Sequence, residues 1–425
     1  MRPMDLAMRA LARAWRVLLG GVLAASLLAG CGGGGSSNPA PSAPAAGTTP
    51  AATGGNGAAA TQAAGGNVVP VTISSSLSSS PNLPFVNVTI CVPGTATCQT
   101  IDRILVDTGS IGLRVFASAL NPALALPAQL SANGLALGEC TQFADGFTWG
   151  PVRQADFRIG GEQASNLPVN ILADPAFNEV PVACSSGGSD INSVSSFGAN
   201  GVLGVGLFVE DCGPGCERSA DFETYYACGT NCESVALALA NQVRNPVASF
   251  ARNNNGVILS FPSVPYPGTA SVTGAMTFGI GTQPNNGLGA ATVITVSPNT
   301  GYFTTVYKGR SFSRGFIDSG SNGIFFRDTT IARCRTSFYC PPQTLNLSAV
   351  NQGTNGQQST VTFDVVNTDA VFSQDASIGV VPGLASSLSS TTTFDWGLPF
   401  FLGRNVTTAI DGRATPAGNG PYYAY

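Results

Sequence analysis

The sequence predicts a mainly β, bilobal fold with a cleft between two related lobes. Two observations carry this expectation. The segment Ile104-Leu105-Val106-Asp107-Thr108-Gly109-Ser110-Ile111-Gly112-Leu113 is echoed in the second half by Gly315-Phe316-Ile317-Asp318-Ser319-Gly320-Ser321-Asn322-Gly323-Ile324. Short β-branched runs also alternate with Gly, Pro, Ser and Thr throughout, whereas helical periodicity is scarce.

The elements follow in chain order. Residues 1–30 read as a signal segment, with Arg2, Arg9, Arg13 and Arg16 ahead of an apolar run from Val17 to Leu28. Residues 31–66 are Gly, Ala, Ser, Pro, Thr and Asn without periodicity, the composition of a flexible tether. An N-terminal β lobe is expected over 67–258, beginning with Val69-Pro70-Val71-Thr72-Ile73 and Pro84-Phe85-Val86-Asn87-Val88-Thr89-Ile90. A C-terminal lobe is expected over 259–425, with strands at Thr292-Val293-Ile294-Thr295-Val296 and Tyr302 to Tyr307. The best helical candidate runs from Glu233 to Val243, closed by Pro246.

Composition narrows the chemistry. The 425 residues include no His, which removes Ser-His-Asp and Cys-His nucleophiles and the commonest zinc ligand sets. Carboxylates remain as the proton-transfer groups. The net charge is −4 and becomes more negative without the Arg-rich leader, so nucleic acid is not an expected partner. Eleven Cys less Cys31 leaves ten, an even number that reads as five disulfides in an exported chain. Proximity pairs Cys91 with Cys98 and Cys334 with Cys340, and suggests Cys140 with Cys184. Cys212, Cys216, Cys228 and Cys232 fit either a pinned hairpin or a four-thiolate zinc site, with the oxidising compartment favouring disulfides.

In each copy of the repeated motif an apolar strand delivers an Asp into a hydroxyl-Gly-Ser turn. Two such turns can bring Asp107 and Asp318 together. Like charges at hydrogen-bond distance cannot both ionise freely, so the pair keeps one proton and offers a base and an acid at one point. Gly109 and Gly320 allow tight turns and close backbone approach. Thr108 and Ser319 can lock the turns to one another, while Ser110 and Ser321 can donate to the outer oxygens of Asp107 and Asp318. Each half also carries a later apolar-apolar-Gly element, Val202-Leu203-Gly204 in the first and Phe401-Leu402-Gly403 in the second.

Over roughly residues 80 to 410 these motifs and their order resemble the pepsin-like aspartic proteases. The resemblance implies a water held between Asp107 and Asp318, deprotonated by one Asp as it attacks a peptide carbonyl while the other donates a proton to the carbonyl oxygen. No cofactor or metal is implied. It also implies a flap hairpin over the cleft, matched here by Phe143-Ala144-Asp145-Gly146-Phe147-Thr148-Trp149-Gly150, with Phe143, Gly146 and Trp149 as candidates. Phe143 stands where the family has Tyr, leaving the Trp149 indole as a donor. The Trp that follows the family's first motif is Arg114, a cation that would either stabilise an ionised Asp107 or point to solvent.

Leu28-Ala29-Gly30-Cys31 resembles a bacterial lipobox, which implies lipidation of Cys31. Gly32, not Asp, follows it, so outer-membrane delivery, facing the periplasm or the cell surface, is expected. The whole chain resembles Gly/Ala-rich lipoproteins of Gram-negative bacteria. The expected function is a membrane-anchored aspartic endopeptidase acting on peptides or proteins. The alternative is a catalytically silent envelope protein that holds extended peptides in the same cleft.

Overall fold

The computed structural model describes residues 66–425; the leader, Cys31 and nearly all of the expected tether lie outside the described residues. The fold is the mainly β, bilobal one expected, with only short helical turns between strands. Among the described residues no helix is long and apolar enough to cross a membrane.

A central set of strands joins the two halves. Val68–Ser74 pairs antiparallel with Val272–Phe278, which continues through Gly256–Ser260, Asn405–Ala409 and Tyr422–Ala424 to Val293–Thr295. Strands from both ends of the described chain therefore belong to one sheet. The core runs from this sheet into both lobes through residues such as Val71, Val257, Met276, Val406 and Tyr423.

Each lobe contains the same three-strand arrangement around its Asp turn. In the first, Cys98–Asp107 runs parallel to Gly201–Val205, with Asp107 opposite Gly204, and Gly201–Val205 pairs antiparallel with Ile111–Phe116. In the second, Arg310–Ile317 runs parallel to Thr393–Trp396, which pairs antiparallel with Ile324–Phe326. The Asp318 N–H donates to the Trp396 carbonyl at 3.1 Å, which places Gly397 where the first lobe has Gly204. This corrects the sequence assignment: the second partner element is Asp395-Trp396-Gly397, whereas Leu398–Phe401 forms a 3-10 turn. A charged residue in the apolar position hid the true element, and a second apolar pair before Gly403 imitated it.

Local chemistry explains the remaining elements. Phe303–Tyr307 and Arg310–Ile317 form a hairpin whose turn residues, Lys308 and Gly309, have φ of 49° and 73°, the left-handed pair that matches strand twist. Leu345–Gln352 and Gln358–Val365 bury alternate residues, such as Ala349, Val361, Phe363 and Val365, against the second lobe's aromatic core. Glu233 to Val243 is not a helix: Cys232–Ser234 is a strand paired with Tyr225–Cys228, and only Leu239–Asn241 turns as 3-10. A disulfide between Cys228 and Cys232 closes that hairpin and overrides the weak helical spacing. The other bridges join Cys91 to Cys98, Cys140 to Cys184, Cys212 to Cys216 and Cys334 to Cys340.

Candidate active site

Asp107 ends its strand and Asp318 follows the end of Ile317's, so both carboxyl groups emerge where the two lobes meet. Each carboxylate accepts from the N–H of its own turn glycine, Gly109 to Asp107 Oδ1 at 2.7 Å and Gly320 to Asp318 Oδ1 at 2.8 Å. The opposing glycine is what admits each carboxyl group. A Cβ on Gly109 would lie 2.6 Å from Asp318 Cγ, and one on Gly320 would lie 2.7 Å from Asp107 Oδ1. Ala at either position would push the carboxyl groups apart.

Thr108 and Ser319 tie the turns together. The Thr108 hydroxyl donates to the Ile317 carbonyl and accepts from the Ser319 N–H, and Ser319 does the reciprocal with Val106 and Thr108, at 2.8–3.1 Å. Both side chains are buried, so these bonds do not compete with water. Asn82 adds a further tie, donating to the carbonyls of Asn322 and Val381 and accepting from the Val381 N–H at 2.7 Å.

The two halves of the pair differ. Ser321 Oγ donates to Asp318 Oδ2 at 2.8 Å, as expected, but Ser110 Oγ is buried without a hydrogen-bond partner and does not serve Asp107. Burial pushes the Asp318 carboxyl well above its ordinary range, reinforced by repulsion from Asp107 and Asp395 and by a hydrogen bond with Asp107. Ser321 opposes this and is outweighed.

Asp107, Asp318, Gly109, Gly320 and Ser321 line a cleft of about 100 Å³. Leu83, Leu105 and Phe325 form apolar walls, and Ser76, Ser78, Ser80 and Ser196 supply hydroxyls. The hairpin between Ala136–Gln142 and Phe147–Ile159 reaches the same cleft, closing its turn with Phe143 N–H to Gly146 carbonyl at 2.7 Å. Phe143 stacks edge-on against Phe197, at 5.4 Å between centroids. Ala144 and Asp145 also line the cleft, and burial pushes the Asp145 carboxyl up to about 6. The sequence reading included Asp145 in the flap segment but gave it no role.

One flap expectation needs correction. Trp149 is fully buried, its indole donates to the Phe177 carbonyl at 2.9 Å, and its ring packs on Tyr226, so it is not a donor to the cleft. Gly146 sits in the hairpin turn and lets it pass close to Ser189, whose carbonyl a Cβ would meet at 2.1 Å.

Arg114 neither reaches Asp107 nor faces solvent. It is buried, donates to the Ile111 carbonyl at 2.6 Å and Thr141 Oγ1 at 2.8 Å, and pairs with Glu139 and, at 3.0 Å, with Asp211. Burial works against its charge, but Glu139, Asp211 and Tyr225 hold the guanidinium above its usual value. Burial likewise raises Glu139 well above the usual carboxyl range, against the pull of Arg114 and with Asp211 adding to it. Glu139 and Thr141 belong to the flap strand Ala136–Gln142, so the Arg114 cluster anchors the flap to the first Asp motif.

The chain belongs to the family described as Protein of unknown function (DUF3443), whose model matches residues 63–425. No curated protein sequence matches it. Among solved structures it is similar to the crystal structure of the aspartic proteinase from Irpex lacteus, with a TM-score of 0.47, 15% identity, and coverage of 84% of this chain and 97% of that one.

Proposed function

We propose that this protein is an aspartic endopeptidase in which Asp107 and Asp318 activate a water for attack on a peptide carbonyl. One observation carries the reading: two carboxyl groups, each admitted by the other turn's glycine and locked by Thr108 and Ser319, share a cleft floor. A strand cap would need neither the mutual lock nor the shared proton.

In this mechanism the ionised Asp107 takes a proton from the water as its oxygen attacks the carbonyl carbon. Asp318, held protonated by burial and by its neighbours, donates to the carbonyl oxygen. The tetrahedral intermediate then collapses with proton transfer to the leaving nitrogen, and no covalent bond to the enzyme forms. Backbone N–H groups of Gly109 and Gly320 fix the carboxylates in orientation throughout.

Phe143, Ala144 and Asp145 of the hairpin turn line the cleft beside Asp107 and Asp318, and in this reading the turn lifts to admit an extended peptide and closes over it. Lipidation at Cys31, with residues 31–66 as tether, would place this cleft at the outer membrane, facing peptides or proteins of the envelope.

The test is incubation of the purified full chain, in detergent, with a diverse peptide library from pH 3 to 7. Cleavage lost in Asp107→Asn and Asp318→Asn supports the reading. No cleavage at any pH, together with retained peptide binding, favours a silent peptide-holding protein.

A further inference from the structure

Both Asp motifs carry an arginine four residues before the Asp, Arg103 ahead of Asp107 and Arg314 ahead of Asp318. The two hold equivalent places. The Asn200 N–H donates to the Arg103 carbonyl just before Ile104 meets Gly201, and Arg314 stands opposite Thr393 just before Gly315 meets Phe394. Their side chains differ in what they meet. Arg103 Nη2 donates to the Ser75 carbonyl at 2.9 Å, and the guanidinium lies over the Phe85 ring, 4.3 Å from its centroid. Arg314 is half-buried, and its guanidinium has no hydrogen-bond, ion-pair or ring partner among the described residues.

Arg314 instead lines an open groove of about 570 Å³, together with Ser297, Thr300, Tyr302, Gln352 and Thr354. Among the described residues no carboxylate lines this groove, so the guanidinium gives it an uncompensated positive charge. Alternation along Arg310–Ile317 sets Arg314 and Phe316 on the face that leads to Asp318, and Tyr302 at the groove packs on Phe316, with centroids 6.0 Å apart. The first-lobe residue matching Phe316 is Leu105, which lines the dyad cleft. At roughly 3.3 Å per strand residue, Arg314 stands about 13 Å from Asp318, the reach of about four residues of an extended peptide. The dyad cleft has the opposite charge: Asp107, Asp145 and Asp318 line it, and among the described residues no cation does.

We propose that Arg314 is a specificity-determining residue that takes a carboxylate of the bound peptide, from an acidic side chain or the chain end, about four residues from the bond that is cut. The inference rests on reading the dyad cleft as the place where an extended peptide lies. An Arg side chain offers a planar fork that a carboxylate meets with two hydrogen bonds, and the hydroxyls and the Gln352 amide around it suit a polar occupant. The two charges together fix the register of the peptide. Its carboxylate is drawn to Arg314 and repelled by the three carboxyl groups of the dyad cleft. Arg103 does not duplicate this role, because Ser75 and Phe85 already hold its guanidinium.

The test uses the full chain in detergent and matched peptides carrying Glu or Gln at each position about three to five residues from the cleaved bond, on either side, with a further pair ending there as free acid or amide. The readout is the acid-to-amide ratio of kcat/KM, in which general losses of activity cancel. In wild type the ratio should reach about 3- to 10-fold at one position and be carried by KM, the size of a charged hydrogen bond in a half-open site. It should fall to unity in Arg314→Gln, invert in Arg314→Glu, where Lys at that position becomes the preferred residue, and stay at the wild-type value in Arg103→Gln. A ratio seen in the Glu–Gln pairs assigns a side chain, and one confined to the free acid–amide pair assigns the chain end; either supports the proposal. A wild-type ratio of unity for every pair, or a preference that survives in Arg314→Gln, would overturn it. If wild type cuts no peptide, the peptidase reading fails, and equilibrium binding of the same pairs decides this inference: tighter binding of the acid forms that is lost in Arg314→Gln supports it, and equal binding overturns it.

Discussion

Thr108 and Ser319 are each other's hydrogen-bond partners across the lobe boundary, each hydroxyl accepting the other residue's N–H, at 3.1 and 2.9 Å. Neither lobe therefore completes its own Asp turn. Thr108→Val removes the hydroxyl while keeping the shape, leaving the Ile317 carbonyl and the Ser319 N–H buried and unpaired. Each orphaned group costs about 1–3 kcal/mol. Denaturant unfolding should show Thr108→Val and Ser319→Ala each destabilised on that scale. The double variant should lose less than the sum, because the two residues share the same bonds. Additive losses would mean that the lock is not a unit.

Asp107→Asn and Asp318→Asn should each lower kcat by at least about 10²- to 10⁴-fold, the range of a lost acid or base, with unchanged circular dichroism. Activity should be greatest on the acid side and fall as pH rises, since the dyad works only while Asp318 keeps its proton. Cleavage that persists in the double Asn variant would point to a contaminating protease or another site.

Arg114→Met should be the most damaging single change outside the dyad. It strands Glu139 and Asp211 without their cation, and breaking one side of a buried ion pair costs about 3–5 kcal/mol. Thermal unfolding would measure the loss. Flap amides on Ala136–Gln142 should also exchange faster, because Arg114 is what holds Thr141 and Glu139.

Asp145 should make the hairpin turn pH-sensitive. Its folded-state carboxyl lies near pH 6, above the ordinary 3.8, so the closed turn prefers the protonated form. The resulting stabilisation is fully present below about pH 4 and is lost as pH rises through about 6. Hydrogen-exchange protection of Phe143 to Phe147 should therefore drop between about pH 4 and 6 in wild type and stay level in Asp145→Asn. Equal pH profiles for the two would remove Asp145 from flap control.

Cys31→Ser should leave an unprocessed precursor that takes up no labelled fatty acid. Normal processing and labelling in that variant would rule out the lipobox.

The dyad was legible in sequence because it is written twice, and a duplicated turn with an Asp, a hydroxyl and a Gly has few other uses. The second partner element was not, because Asp395 interrupts the apolar pattern by which such elements are found. Arg114 carried an ambiguous signal, since its fate depends on Glu139 and Asp211, residues distant in sequence that only the fold brings to it. Trp149 was misplaced for a related reason: hairpin spacing does not say which strand face meets solvent and which meets the disulfide-flanked interior around Cys140 and Cys184. Asp145 sat in the quoted flap segment, yet nothing in one turn reveals what lies across the cleft.

The central sheet takes in the last strand of the described chain. Tyr422–Ala424 occupies a place between Asn405–Ala409 and Val293–Thr295, and Tyr423 reaches the Ile317 backbone directly beneath Asp318. A ribosome thus delivers Asp107 and Asp318 long before it delivers the strand that supports them. Nascent chains, and chains truncated before Tyr422, carry the whole motif pair without a finished floor under it.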